Sequence, residues 1–354
     1  MSVFYDLNKT PRNILNQWIV RAIASENNGA WFDPSDLSTL YQDAAGTIPV
    51  TAVEQLVGLM LDKSGNGYHA TQSITASRPT LSARKNILLA TEELATQSVT
   101  TLAATYTLSF TGTGSVSLSG TATGTLTGTG TGRVSLTFTP TAGTLTITVS
   151  GSVMKAQLGV SSVVTSYQRV TTATDYDVSA HYYFLRFDGV DDYLNLPYMG
   201  LYVNGSASVV AALTMTNANP QRLVHEANTG NSTPFYGLFR NAGGVCGLGA
   251  LDDTGFAFVS NTAYFGDTSK VKVISEVDFG ANATTFINSI SSDSDNYSRV
   301  GRTVTLNNTT IGASVSTNTA GYINSNLYGL IITKSALTDA QRVTCERYLG
   351  RKAG

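Results

Sequence analysis

Charge is scarce in this chain. Asp, Glu, Lys and Arg make up 13% of the 354 residues, about half the usual share. The 22 Lys and Arg against 24 Asp and Glu give a net charge of −2, with no basic block. Non-specific nucleic-acid binding needs clustered cations that displace counterions, so nucleic acid is not expected as a partner. Cysteine is nearly absent: Cys246 and Cys345 are the only two. That is too few for a disulfide framework, and two buried thiols are a simpler expectation than one bridge. His69, His181 and His225 are scattered, with no second His or Cys at metal-ligand spacing, so a zinc site has no support. Long apolar runs are missing too. Trp18-Ile19-Val20 stops at Arg21, whereas a membrane span needs about 20 apolar residues, so no membrane partner is expected. Met1 to Lys9 is polar and lacks the apolar core of a secretory signal. The expectation is synthesis in a cytoplasm and release, if any, as part of a larger assembly.

Catalytic signatures are equally thin. There is no Gly-x-Ser-x-Gly, no His-Glu-x-x-His and no phosphate loop; the Gly-Thr repeats at 121–132 lack the lysine a phosphate loop needs. Acidic residues are few, and none forms a convincing glycosidase pair. These absences lead to the expectation that the chain is not an enzyme.

What is present is β-structure. Hydrophobic residues make up 42% of the chain, enough for a globular protein with room for two cores. Ser, Thr, Asn and Gly must then solvate the surface. Apolar residues alternate cleanly at Tyr106, Leu108 and Phe110; at Val116 and Leu118; at Val134, Leu136 and Phe138; and at Leu145, Ile147 and Val149. Each set faces one way with Thr and Ser opposite, which predicts short antiparallel strands with one solvated face. Further strands are expected at Gln55–Leu61, Leu185–Asp188, Tyr193–Leu196, Ser208–Thr214, Thr233–Phe239, Gly255–Ser260, Val271–Phe279, Ala283–Ile287 and Leu327–Thr333. Thr10 and Pro11 suit the start of a helix over 10–25, with Ile14, Trp18 and Ala22 on one face and Leu15, Ile19 and Ile23 beside them. A second helix follows Leu337: Thr338 and Gln341 form a capping box, Gly350 sits at the expected C-cap, and Arg342, Arg347, Arg351 and Lys352 lie toward its C-terminus.

Two phrases carry a resemblance. Asp62-Lys63-Ser64-Gly65-Asn66-Gly67-Tyr68-His69, with Trp31-Phe32-Asp33 upstream, resembles the opening of a laminin-G-like, concanavalin A-like sandwich. Phe187-Asp188-Gly189-Val190-Asp191-Asp192-Tyr193-Leu194 resembles its continuation, more than a hundred residues later. The stretch from Gly29 to Asp43, with Ala76 to Leu81, is similar to a segment of tailed-phage structural and tail-fibre proteins. Asn86 to Leu94, with Ala156-Gln157-Leu158 and Tyr167-Gln168-Arg169-Val170, resembles the ends of carbohydrate-binding-like jelly rolls in phage fibres. The fold class implied is all-β: a concanavalin A-like sandwich interrupted by an inserted jelly-roll-like sandwich, with short N- and C-terminal helices. The divisions expected are a helical anchor at 1–28, a discontinuous sandwich at 29–84 plus 176–354, and a Gly/Thr/Ser-rich insert at 85–175.

The resemblance implies a virion surface protein. One reading is a tail-fibre or tail-tip adhesin that contacts a host-surface glycan; the other is a capsid decoration or head-fibre protein without sugar binding. From Thr111 to Gly151 the insert has one aromatic, Phe138, which the alternation turns inward, so a spacer role is the first expectation for that domain. Tyr264 and Tyr297, in polar stretches, are the candidate ligand contacts. Asp188, Asp191 and Asp192 are the candidate metal ligands, with calcium the only cofactor considered; the simpler alternative is that they bind turn amides. Ile14, Leu15, Trp18, Ile19 and Ile23 are the candidate anchor, joining other virion proteins or sister copies in a homo-oligomer, first expected to be a trimer. The simpler alternative is that the helix packs on its own sandwich.

Overall fold

The computed structural model describes residues 12–179, 181–215, 221–230, 235–240, 246–252, 255–261, 272–293, 305–316 and 320–353, with side chains along the first helix from Gln17 onward. Among these residues the protein is all-β, with four antiparallel sheets and two α-helices, α1 (Arg12–Glu26) and α2 (Asp339–Ala353). Thr10 and Pro11 lie outside the described residues. The chain forms two compact units: residues 83–182 make one, and the segments on either side make the other.

The discontinuous unit holds two large sheets. At the centre of the first is Asn324–Thr333, paired with Ala207–Met215, Phe184–Asp188 and Ala30–Phe32. The second runs from Gly255–Asn261 through Gln221–Ala227 and Asn308–Ile311 to Leu40–Tyr41. Phe32, Met60, Leu81, Phe187, Leu238, Ile311 and Leu330 are among the residues of one buried core that draws on both sheets. The central strand is apolar on both faces because both are covered. Leu327, Leu330 and Ile332 join that core, while Tyr328 and Ile331 join a second cluster beneath α1 and α2. Gly329 lets α2 close on the strand: a Cβ there would stand 2.7 Å from Leu349 Cδ2.

Helix α1 packs on its own sandwich through Val20, Ile23 and Ala24. Trp18 and Ile19 are exposed, as is Ala22, so the packing face differs from the Ile14–Trp18–Ala22 face expected. Its C-terminal end fixes the rotation: after Asn28, at φ 47°, Gly29 donates to Ala24 O at 2.8 Å. Burying Val20 and Ile23 contributes about 1.5–3 kcal/mol each, support that a lone 15-residue helix lacks in water.

Three other expectations are corrected. Of Gln55–Leu61 only Leu59–Met60 is strand; Val57 and Gly58 bond to different partners, Pro79 O and Tyr41 O. Gly350 lies inside α2, which continues to Ala353. Arg342 sits in the first turn of α2, buried, 2.5 Å from Glu346 and 3.7 Å above the Phe286 ring. The capping box is present, with Thr338 N donating to Gln341 Oε1 at 3.1 Å and Gln341 N to Thr338 Oγ1 at 3.4 Å.

The unit of residues 83–182 pairs a three-stranded sheet (Val134–Phe138, Tyr106–Thr111, Met154–Val160) with a four-stranded one (Gln97–Thr101, Gly143–Ser150, Ser115–Gly120, Gly124–Thr127). The alternating residues meet as expected. Leu108 stands opposite Leu136, and Leu118 opposite Ile147, and these residues share one core with Phe110, Leu145 and Leu158. Two buried amides tie the unit's ends together. Gln168 accepts from the Lys85 and Asn86 amides and donates to Ala83 O and Asp177 O. Asn86 accepts from Leu88 N and Leu158 N and donates to Ala156 O and Gln168 O. Every side-chain hydrogen-bonding group of the pair is thus engaged, as burial demands.

Candidate functional site

The site is built by the turn at Asp62–Tyr68. Asp62 Oδ1 accepts from Trp31 N at 2.9 Å and Ser64 N at 2.8 Å, and Oδ2 accepts from Tyr68 N at 3.1 Å. Gly65 and Gly67 have φ of 97° and 82°, a region that costs other residues energy. Asn66 then reaches back to the end of α1, donating through Nδ2 to Gly29 O at 2.8 Å and toward Ala24 O at 3.4 Å. One turn thereby sets the distance between α1, Trp31 and Lys63.

Between them lies an open cleft of about 260 Å³, lined by Gln17, Trp18 and Arg21 of α1 and by Trp31, Asp36 and Lys63. The chain has two tryptophans, and both line this cleft. Trp18 is 56% exposed. Trp31 is buried, edge-on to Tyr348 at 5.6 Å, and its Nε1–H has no acceptor among the described residues. Lys63 Nζ lies 4.5 Å from the Trp31 ring centroid and pairs with Asp36 at 2.5 Å and Asp33 at 3.6 Å. Arg21 lies along the turn: a Cβ on Gly65 would be 3.8 Å from its Nη2.

Behind the cleft, buried Asp33 accepts from Tyr348 Oη at 2.8 Å and pairs with Lys352 at 3.0 Å. Burial pushes the Asp33 carboxyl up, but the Lys352 and Lys63 charges and the Ser35 hydrogen bond outweigh it, leaving its pKa below the usual value. Asp36 is lowered too: burial opposes, and hydrogen bonds from Lys63 and Ser38 prevail. Both carboxylates are therefore anionic at neutral pH. An exposed indole beside an amide, a guanidinium, an ammonium and a carboxylate can hold a ligand with one apolar face and several hydroxyls.

Asp188, Asp191, Asp192 and Ile23 do not line this cleft. Asp188, Asp191 and Asp192 do come together, with ligand oxygens within 4.8 Å of one another. Within the turn, Asp188 Oδ1 accepts from Val190 N at 2.8 Å and Asp192 Oδ2 from Asp188 N at 3.0 Å, while Asp191 Oδ2 accepts from Ser77 Oγ at 3.1 Å. Burial, with the Asp188 charge next, pushes the Asp192 carboxyl up to about 7. Tyr264 and Tyr297 lie outside the described residues, as do the side chains of Ile14 and Leu15. Ile23 is in the helix-covered cluster. Cys345 is a free, buried thiol. Gln17, Arg21, Trp31, Asp36 and Lys63 were not expected as a site. The available signal was the pair of tryptophans, one on a polar helix and one beside the Asp62–His69 phrase.

No family model matches the chain, and no curated protein matches it. Among solved structures it is similar to the NanB sialidase of Streptococcus pneumoniae, at 17% identity over 40% of this chain and 23% of that one, with a TM-score of 0.33. It is also similar to the CBM40 of Ruminococcus gnavus IT-sialidase bound to α2,6-sialyllactose (13% identity, 40% and 82% covered, TM-score 0.32). A third is the Trypanosoma rangeli sialidase in complex with the inhibitor DANA (13% identity, 47% and 27% covered, TM-score 0.34). The chain spans about a quarter of the length of these two sialidases. Because sialidases stand among its structural neighbours, the expectation that the chain is not an enzyme is withdrawn. TM-scores this low carry neither a reaction nor a ligand across to it.

Proposed function

We propose that this protein is a virion surface protein of the tailed-phage kind that contacts host-surface glycan through the cleft between α1 and the Asp62–Tyr68 turn. The observation that carries the reading is the meeting of both tryptophans with Gln17, Arg21, Asp36 and Lys63 in one open cleft. A pyranose has an apolar face that stacks on an indole and hydroxyls that bond to planar amide, carboxylate and guanidinium groups. Trp18 supplies the exposed ring and its neighbours the polar groups. The virion setting is supported by the likeness of Gly29 to Asp43, with Ala76 to Leu81, to a segment of tailed-phage structural and tail-fibre proteins. Ile14, Leu15 and Ile19 of α1 are the proposed contact with other virion proteins or sister copies.

A glycan array probed with the full chain and with Trp18→Ala tests the sugar contact. Binding is expected from the former and its loss from the latter, with a thermal melt of each keeping a folding defect separate. Immunogold labelling of intact particles tests the location. Label at fibres or tail tip supports the adhesin, and label spread over the head with an empty array overturns it in favour of a decoration protein.

A further inference from the structure

We infer that the cleft selects a saccharide bearing a carboxylate, held by Arg21 while the sugar ring stacks on Trp18. This rests on the glycan reading above and adds the charge of the ligand. The lysines beside the cleft are already engaged. Lys63 is taken by Asp36 and Asp33, and Asp33 also engages Lys352. Arg21 is exposed and has no carboxylate partner among the described residues.

Its placement suits an anionic ligand. Arg21 stands three residues after Trp18 in α1, so guanidinium and indole share one face of the helix. Gly65 stands beside the guanidinium, where a Cβ would come to ordinary contact at 3.8 Å from Nη2. A guanidinium presents five N–H donors in a planar fork that matches a carboxylate with two parallel bonds. Asp36 lines the same cleft with its carboxylate engaged by Lys63 and the Ser38 hydroxyl. It repels a ligand carboxylate and so orients that group toward Arg21. Gln17, which lines the same cleft, remains for hydroxyls.

The test uses matched sugars: D-glucuronic acid against D-glucose, and 3′-sialyllactose against lactose. Because both tryptophans line the cleft, quenching or shift of intrinsic tryptophan fluorescence reports occupancy directly. The acidic member of each pair is expected to bind about tenfold more tightly at low salt, with the advantage shrinking as ionic strength rises. Arg21→Gln is expected to reduce that ratio to about one, and Arg21→Lys to restore part of it. A thermal melt of each variant keeps a folding defect separate. Equal binding of acidic and neutral sugars, or a ratio untouched by Arg21→Gln, overturns the charge preference while leaving the glycan reading in place. Binding of none of the four sugars, together with an empty array, removes both.

Discussion

Glu276 and Asp192 are buried carboxyl groups in surroundings that favour their neutral form, and Asp33 is one in surroundings that favour its charge. Glu276 accepts from Thr285 Oγ1 at 2.6 Å but leaves Oε1 unpartnered, and burial, with Asp278 nearby, raises its pKa well above the usual value. Asp192 is raised to about 7 by burial and then by Asp188. A raised folded-state pKa means that the folded chain holds a proton the unfolded chain has released, so stability falls as pH climbs from about 4 toward 7. Asp192→Asn, which keeps a carbonyl acceptor for Asp188 N, is expected to be more stable than the parent by on the order of 2 kcal/mol at pH 8. The gain should vanish below about pH 4; urea melts across pH measure it, and a gain independent of pH would contradict it. Asp33 has the opposite sign. Its lowered pKa stabilises the fold above the unfolded carboxylate's pKa, and that contribution is lost as pH falls through the folded value. Asp33→Asn should cost about 3 kcal/mol at pH 7, since it leaves Lys352 and Lys63 without their buried partner, and less below pH 3. The closeness of Asp188, Asp191 and Asp192 was legible because they are neighbours in the chain. The bond from Tyr348 to Asp33 spans 315 residues, a distance no local pattern encodes.

Elements were legible where one face is apolar and the other is Ser or Thr. The strands Val134–Phe138 and Gly143–Ser150 follow their alternation; Tyr106–Thr111 is a strand as expected, but it buries Thr107 and Ser109 together with its apolar face. Strands with polar groups turned inward were missed. Gln221–Ala227 buries His225 and Glu226, and Asn308–Ile311 buries Thr309 and Thr310, so neither shows period two. Glu226 is tolerated inside because Leu201 N, Tyr202 N and Thr309 Oγ1 all donate to it. The cleft escaped notice for a related reason: α1 and the Asp62–Tyr68 turn are each readable alone, but the link between them is the side chain of Asn66. Asn66→Ala should destabilise the protein by about 1 kcal/mol, the usual worth of a capping hydrogen bond. It should also raise amide exchange in residues 20–26 before that of the central sheet, and weaken saccharide binding as α1 loses its seat beside Trp31. Unchanged exchange in α1 would show that Val20, Ile23 and Ala24 hold the helix unaided.

At the scale of the whole molecule the question is how a sandwich keeps its register when about a hundred residues interrupt it. The two halves are joined by direct bonds. Gln72 Nε2 donates to Tyr193 O at 3.0 Å, Tyr193 N to Ser77 O at 3.2 Å, and Ser77 Oγ to Asp191. The residues flanking the insert are also partners: Ser82 stands opposite Phe184 in antiparallel register, which brings their Cα atoms to about 5 Å. An insert that leaves and returns at one ladder position adds no loop for the host sheet to close, provided the insert folds on its own. It has the means, with a core around Phe110, Leu145 and Leu158 and ends tied by Asn86 and Gln168. Replacing residues 83–183 by the two-residue turn Asn-Gly, a natural hairpin connection, should therefore leave a folded host unit. Residues 83–182 expressed alone should melt cooperatively as well. Both tryptophans stay with the host, so its fluorescence spectrum and its saccharide titration should match those of the full chain. A spliced host that keeps its fold but loses the titration would make the insert part of the recognition surface. One that fails to fold would show that the Ser82–Phe184 pairing depends on the insert to form.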